Sequence, residues 1–334
     1  MAITLRDIAL EAGVDPATAS RALTGNYGVR AATREKVLAV AARLKYIPNK
    51  VARGLATGQS RTLGLVVSDI RNPFFSEVAR GAEDAAYKAG YDLLLCNTDL
   101  NPSKQIHYFR SLLAKRVDGI IMNSVATLDR SFQEELGRCD VPVVLLNRPS
   151  GTSGLSTVTA DNFEGGWIAG SYLIRLGHRV IGQLTGPSAH RNFSERSKGF
   201  LKASQAACGK VTSIVIRGDY NSQGGYEMMK ELLTGHNDVT AVFACNDVVA
   251  FGAIRAVLER GLRVPDDVSI IGFDDVEMAS LIRPPLTTIH QPKYEVGQAA
   301  VDILLRHAEH PNSRSPERRI LGVKLIERES CRAL

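Results

Sequence analysis

From Leu63 onward the chain alternates between two kinds of segment. Short apolar runs at Leu63–Val67, Asp92–Cys96, Gly119–Met122 and Val141–Leu146 are followed by a second series at Val180–Leu184, Ser213–Ile216, Ala241–Ala244 and Val268–Gly272. The stretches between them, among them Glu77–Ala89, Gln105–Lys115, Gly166–Leu176 and Val248–Arg260, have helical period. Short continuous apolar runs suit strands buried on both faces, and such strands need helical crossovers to lie parallel. The repetition therefore predicts an α/β body of two doubly wound parallel-sheet lobes. Ser156–Asp161 is expected to separate the two series. Thr287–Pro292 leads back, Tyr294–Leu305 reads as a further helix and Gly322–Arg328 as a last strand.

In open parallel sheets ligands bind beyond the carboxyl ends of the strands. Those ends are polar here: Ser68-Asp69, Asn97, Asn123-Ser124 and Asn147-Arg148 in the first series, Asp219-Tyr220, Asn246-Asp247 and Asp274-Asp275 in the second. Hydrogen-bonding side chains recur where turn residues would suffice, which points to a cleft between the lobes.

The first fifth of the chain is different. Residues 1–61 hold ten Lys and Arg against four Asp and Glu, whereas the remainder is balanced, so the net charge of +6 resides in this small module. A basic module on a neutral body points to a polyanion. Thr4 and Asp7 form a capping-box pair for a first helix with Ile8, Ala9 and Ala12 inward, and Gly13 stops it. Asp15 caps a second helix with Pro16 at its first position. Thr33–Tyr46 reads as a third, ending before Pro48. Helices this short are marginal alone and persist only when packed together. The pattern is a three-helix helix-turn-helix headpiece, its second helix free to enter a DNA major groove with Ala17, Thr18, Ser20 and Arg21 outward. Asn49–Ser60 reads as a basic linker of weak helical character in which Leu55 is apolar and available as a minor-groove wedge.

Several motifs give this headpiece a resemblance. T-L-R-D-I-A, A-G-V, T-A-S-R-A-L, T-R-E-K-V, Y-I-P-N and V-A-R-G-L make residues 4–61 similar to the DNA-binding headpiece of the lactose-repressor (LacI) family of bacterial transcription regulators. N-P-F-F, K-R-V-D-G-I-I, D-N-F-E-G-G, L-G-H-R, F-A-C-N-D and P-P-L-T-T-I-H-Q-P extend it over nearly the whole body, towards a core like that of periplasmic sugar-binding proteins. The resemblance implies a domain at 1–47, a hinge helix and linker at 48–61, and an effector-binding and dimerisation core at 62–334. Within that core, lobe one covers about 62–160 and 291–319 and lobe two about 161–290 and 320–334.

The resemblance also implies a homodimer on near-palindromic operator DNA, with hinge helices that form only there. The DNA-binding set it implies is Thr4, Pro16, Ala17, Thr18, Ser20, Arg21, Asn26, Arg34, Asn49, Lys50, Ala52, Arg53 and Leu55. The effector set is Phe74, Phe75, Asn147, His190, Asn192, Arg196, Tyr220, Asn246 and Asp274. Asp274 can accept hydroxyl protons, Arg196 can offer a bidentate fork and Asn246 can do both, while Phe75 and Tyr220 offer ring faces. A sugar or sugar acid is the expected effector. A purine-type ligand is the alternative, favoured by the aromatic pair and by the likeness of H-Q-P and D-N-F-E-G-G to the purine-repressor branch. Pro16 and Ala17 stand where the family often has a bulkier base reader, and Arg30 replaces the usual serine before the third helix.

Other function classes find no support. HExxH, G-x-x-x-x-G-K-[ST], GxSxG and a GxGxxG after the first strand are all missing, and Asp274-Asp275 are neighbours expected to point opposite ways, so an enzyme is not expected. Cys96, Cys139, Cys208, Cys245 and Cys331 are widely spaced reduced thiols, and no metal or cofactor is expected. His178 reads as structural. With no long apolar run and charges from Arg6 onward, the protein is expected in the cytoplasm, associated with the nucleoid and not with membrane. A pure ligand-binding module without regulation is the rival reading, which the basic headpiece opposes.

Overall fold

The computed structural model describes residues 3–25, 28–47, 54, 58–123, 130–147, 154–309 and 315–334. The chain divides into two compact units, Met1–Ser60 and Arg61–Leu334.

The first unit holds α1 (Leu5–Ala12), α2 (Pro16–Thr24) and α3 (Ala31–Arg43) around Ile8, Ala9, Ala12, Ala19, Ala22, Val37, Val40 and Ala41. The Thr4 side chain accepts from the Asp7 backbone N–H while Asp7 Oδ2 accepts from the Thr4 N–H at 2.8 Å, completing the capping box. Gly13 takes φ 65°, a left-handed turn that ends α1. Asp15 Oδ1 accepts from the Thr18 N–H at 2.9 Å and caps α2. α3 starts two residues before the expected Thr33 and stops at Arg43, because Lys45 turns the backbone to φ 49° well before Pro48. Arg30 gives α3 no side-chain cap.

The second unit contains two six-stranded sheets. The first joins β1 (Thr62–Val67), β2 (Asp92–Asn97), β3 (Gly119–Asn123), β4 (Val143–Leu146), β5 (Ser156–Ala160) and β11 (Arg318–Leu321), in the order β11-β5-β4-β3-β1-β2. The second joins β6 (Val180–Thr185), β7 (Thr212–Arg217), β8 (Ala241–Ala244), β9 (Ser269–Asp274), β10 (Thr287–His290) and β12 (Lys324–Ile326), in the order β12-β10-β9-β8-β6-β7. Every pairing is parallel except β10 with β12.

The helices of the first lobe are α4 (Pro73–Lys88), α5 (Pro102–Ala114) and α6 (Arg130–Gly137). Those of the second are α7 (Asn162–Arg175), α8 (Arg191–Ala206), α9 (Ser222–Gly235), α10 (Asp247–Glu259) and α11 (Met278–Leu281). After β10, α12 (Lys293–Glu309) packs on α4 and on β3, β4 and β5, so the chain has returned to the first lobe.

Ser156–Asp161 lies between the two series as expected, and it carries a strand of its own: β5 is fully buried in the first sheet between β4 and β11, and the passage to the second lobe follows it. One expectation needs correction. Gly322–Arg328 is not one strand. Arg318–Leu321 pairs with β5 and Lys324–Ile326 with β10, so the last crossing lies at Gly322-Val323. A strand this short is placed by its hydrogen-bond partners rather than by its own pattern.

Candidate functional site

Of the polar strand ends, Ser68, Asn123, Asn147, Tyr220, Asn246 and Asp274 share one cavity, whereas Asp69, Asn97, Asp219, Asp247 and Asp275 do not line it, and Ser124 and Arg148 lie outside the described residues. A cavity of about 660 Å3, part of it open to solvent, is lined by all nine residues of the expected effector set. Phe74, Phe75 and Asn147 come from the first lobe, and His190, Asn192, Arg196, Tyr220, Asn246 and Asp274 from the second.

Its floor is a buried ion pair. β9 ends at Asp274 with φ 124°, and Asp275 follows at φ 54°. This strained turn, rather than an extended stretch, sends the two carboxylates apart. Asp275 bonds Arg328 Nη2 at 2.7 Å and His290 Nδ1 at 2.8 Å, whereas Asp274 reaches the cavity, 3.7 Å from Arg196 Nη1. Both members of the pair are 3% exposed. Burial pushes the Asp274 carboxyl up to about 6, although Arg196, Lys293 and Gln291 pull it back. Asp247, just behind it, is raised to about 7 by burial and then by the charge of Asp274, despite bonds from the Thr288 hydroxyl and the Val276 N–H. Burial also depresses Arg196, with Asp274 opposing.

Arg196 is less available than its fork suggests. Its Nε donates to Asn162 Oδ1 at 2.8 Å, its Nη1 donates to the Cys245 carbonyl, and its guanidinium lies 3.7 Å over the Phe273 ring. Two of its five N–H donors are used in this way, and the second N–H of Nη1 and both of Nη2 remain for Asp274 and a ligand. The placement depends on Gly166 of α7: a Cβ there would sit 1.9 Å from the Arg196 carbonyl oxygen, so only glycine lets α7 and α8 cross this closely. Asn246 is likewise committed. Its Oδ1 accepts from the Val249 N–H at 2.7 Å as the cap of α10, and its Nδ2 donates to the Tyr220 carbonyl at 3.1 Å, which fixes the amide and leaves its second Nδ2 N–H for a ligand.

Two acceptors remain open. Asn147 donates to Asn123 Oδ1 at 3.1 Å, and Asn123 donates to Ser68 Oγ at 3.0 Å, leaving Asn147 Oδ1 buried without a partner among the described residues. Gln291 donates to Asp274 Oδ1 at 2.5 Å, and its Oε1, on a residue 1% exposed, is buried without a partner among the described residues. Aromatic rings close the sides. Phe74 and Phe75 meet edge to face at 5.1 Å, and Tyr220 packs on Phe193 at 4.9 Å and on His190 at 5.3 Å. Phe193 and Gln291 were missed from the expected set. Helical spacing from Arg196 could have found Phe193, and the place of Gln291 at the end of the last parallel strand could have found it.

In the headpiece, Pro16, Ala17 and Arg21 are exposed on α2, and Thr18 and Ser20 are half-exposed beside them. The Thr18 hydroxyl donates to Asp15 Oδ2 at 2.5 Å, and Arg21 Nε reaches the Ala17 carbonyl at 3.3 Å. The Thr4 hydroxyl is engaged with Asp7 at 2.8 Å, and Arg34 on α3 is half-buried. Asn26, Asn49, Lys50, Ala52, Arg53 and Leu55 lie outside the described residues. Among the described residues no cluster of His, Cys, Asp or Glu could hold a metal ion, and no helix is long and apolar enough to cross a membrane.

Residues 60–329 match the family of periplasmic binding proteins and the sugar binding domain of the LacI family, and residues 4–49 match the lacI family of bacterial regulatory proteins. The chain belongs to the LacI family. It is 38% identical to the HTH-type transcriptional repressor PurR of Photobacterium profundum over 336 residues, 99% of each chain. The fold is similar to that of the lac repressor dimer bound to operator and the anti-inducer ONPF, with TM-score 0.88, 31% identity and full coverage of both chains. It is also similar to a complex of the transcriptional regulator CelR with cellobiose, with TM-score 0.75, 32% identity and coverage of 98% of this chain and 99% of that one. As a LacI-family member the protein is a transcriptional repressor with a ligand-binding body, not an enzyme. His178 fits that account, since it is buried and bonded through Nδ1 to the Thr240 hydroxyl at 2.9 Å and through Nε2 to the Arg332 carbonyl at 3.2 Å.

Proposed function

We propose that two copies of this repressor grip a near-palindromic operator, and that a small polyhydroxylated effector, a sugar or sugar acid, sets their affinity from the cavity between the lobes. One observation carries the effector reading. Asn147 Oδ1 of the first lobe and Gln291 Oε1 beside Asp274 are buried acceptors with no donor among the described residues. An unsatisfied buried acceptor costs about 1–3 kcal/mol, so a ligand that brings hydroxyl donors to both recovers that cost. A ligand bridging the lobes favours one relative arrangement of them, which is the two-state element that coupling to DNA needs; such coupling is typically about 1–3 kcal/mol.

The proposed organisation is a headpiece at 1–47, a hinge at 48–61 and the core at 62–334. The proposed DNA-binding and effector residues are the two sets read from the sequence, with Gln291 added. The protein would work in the cytoplasm, on the nucleoid. Leu94 and Leu95 are exposed on edge strand β2, which leaves apolar surface at the rim of the first sheet for a second copy.

The test is a thermal-shift screen of the full-length protein against monosaccharides, sugar acids, sugar phosphates and nucleobases, with Asp274→Ala alongside. A ligand at a hundred times its dissociation constant adds about 2.7 kcal/mol to stability. A sugar hit that vanishes in Asp274→Ala is the expected result, and a hit that survives it rejects the site. A purine-type effector is the second reading, favoured by Phe75 and Tyr220 on the cavity walls, and a nucleobase hit would select it.

A further inference from the structure

A second cavity adjoins the first. It encloses about 920 Å3, part of it open to solvent, and is lined by Ser68, Asp69, Arg71, Asn72, Phe75, Leu100, Tyr220, Asn221, Ser222, Gln223 and Val248. Ser68, Asn72, Phe75 and Tyr220 line both cavities, so the two share a wall at these residues. About 410 Å3 of it is room that a ligand can fill, within the range of small-molecule sites, about 300–1,000 Å3.

The chemistry of its lining is specific. Asn72 and Asn221 are spent as caps of α4 and α9, their Oδ1 atoms accepting from the Phe74 N–H at 3.0 Å and the Gly224 N–H at 2.8 Å. Those capped N–H groups are therefore not available to an anion. Asp69 is neutralised by Arg71, whose Nε and Nη2 donate to its two oxygens at 2.9 Å. The outer cavity thus offers no net charge. Leu100 and Val248 supply apolar surface, and Ser222 and Gln223 supply exposed polar groups at the rim. A mixed apolar and neutral polar lining matches a sugar ring, which has C–H faces and a hydroxyl edge, and does not match a phosphate or carboxylate.

Two further features bear on these cavities. The Tyr220 hydroxyl, at the shared wall, makes no hydrogen bond among the described residues, and burial raises its pKa, so it stays a neutral donor. Asp99 and Leu100 both take left-handed backbone, φ 50° and 60°, and the Leu100 N–H is pinned to the Ser68 carbonyl at 2.8 Å. Consecutive non-glycine residues held there are strain that the surroundings must enforce, as happens at ligand clamps. The strain puts the Leu100 side chain on the outer wall.

We infer that the effector is a two-ring saccharide, with one ring on Asp274, Arg196 and Gln291 in the inner cavity and the second beyond Tyr220 against Leu100 and Val248. The inference rests on the sugar reading above and goes beyond it in ring number and in the absence of charge on the second ring.

Calorimetric titration of the full-length protein tests it, with glucose, galactose and ribose against cellobiose, maltose and lactose. At least one disaccharide binds tenfold or more tightly than its constituent monosaccharides. Ser222→Trp, at an exposed position on the rim, fills the outer cavity; it removes the disaccharide advantage by tenfold or more and leaves monosaccharide binding within twofold. Gln223→Trp repeats the block from a neighbouring exposed position in case the first variant folds poorly. The inference is overturned, with the sugar site intact, when monosaccharides bind as tightly as disaccharides, or when both blocking variants leave disaccharide binding unchanged or weaken both classes equally. When no saccharide binds, or binding survives Asp274→Ala, the sugar reading itself fails and the inference falls with it.

Discussion

Arg196→Met removes the cation from the buried pair while keeping a side chain long enough to cover Phe273. The carboxylate it leaves behind is 3% exposed. Removing one partner of a buried pair costs about 3–5 kcal/mol, mostly from the charge left uncompensated. That charge has an escape, because Asp274 can take up a proton. Burial already raises its pKa from 3.8 to about 6 in the native protein. A carboxyl raised on folding stabilises the native state while it is protonated, and that contribution is lost as pH rises through the folded value. Without Arg196 the folded value rises further, so the variant lies nearest the parent at pH 5 and furthest from it at pH 8. In an Asp274→Asn background no charge is stranded. There Arg196→Met costs only its bonds to Asn162 and Cys245, about 1–3 kcal/mol, which predicts a coupling of about 2 kcal/mol between the two positions. Urea unfolding followed by the emission of Trp167, the chain's single tryptophan, on α7, reads all four variants at both pH values. Equal losses at pH 5 and pH 8 together with an additive double variant would refute the reasoning.

Other expected outcomes follow from the same geometry. Gly166→Ala places a Cβ against the Arg196 carbonyl and is expected to cost about 1–3 kcal/mol and weaken effector binding, whereas Gly137→Ala, with nothing within 4 Å of the added carbon, stays within about 0.5 kcal/mol of the parent by urea unfolding. Leu55→Ala lowers operator affinity far more than affinity for unrelated duplex in fluorescence anisotropy; equal losses would argue against a minor-groove wedge. Residues 61–334 alone, a compact unit in the fold, are expected to sediment as a dimer and bind effector without binding operator; retained operator affinity would place DNA contacts in the wrong unit. In the full-length protein operator affinity falls steeply with salt, because phosphate contacts dominate it, and a flat salt response would contradict a basic headpiece on a duplex.

What the chain shows without its fold is local. Thr4 with Asp7, and Asp15 with Pro16, settle where two short helices start, because a cap is a matter of residues three apart. Apolar runs separated by amphipathic stretches settle that strands alternate with helices, because periodicity records which face of each element is buried. Polar residues at the strand ends, joined to the family resemblance, were enough to name nine residues that prove to share one cavity.

Tertiary structure decided everything that depends on a distant partner. β5 belongs inside the first sheet, and Gly322 divides two strands of different sheets, because a short strand is assigned by ladder partners far away in sequence. Arg196 looks like an open fork in sequence and is an anchored one in the fold, since Asn162 and Cys245 take two of its five N–H donors and the Phe273 ring lies under the guanidinium. Asn246 looks like a ligand group in sequence, and only the fold shows that it also caps a helix. Gln291 and Asn147 stand out for what they lack, and a missing partner can be seen only once every neighbour is in place. Side-chain identity states which hydrogen bonds a residue can make; packing decides which of them are already used, and the unused remainder is what a ligand can read.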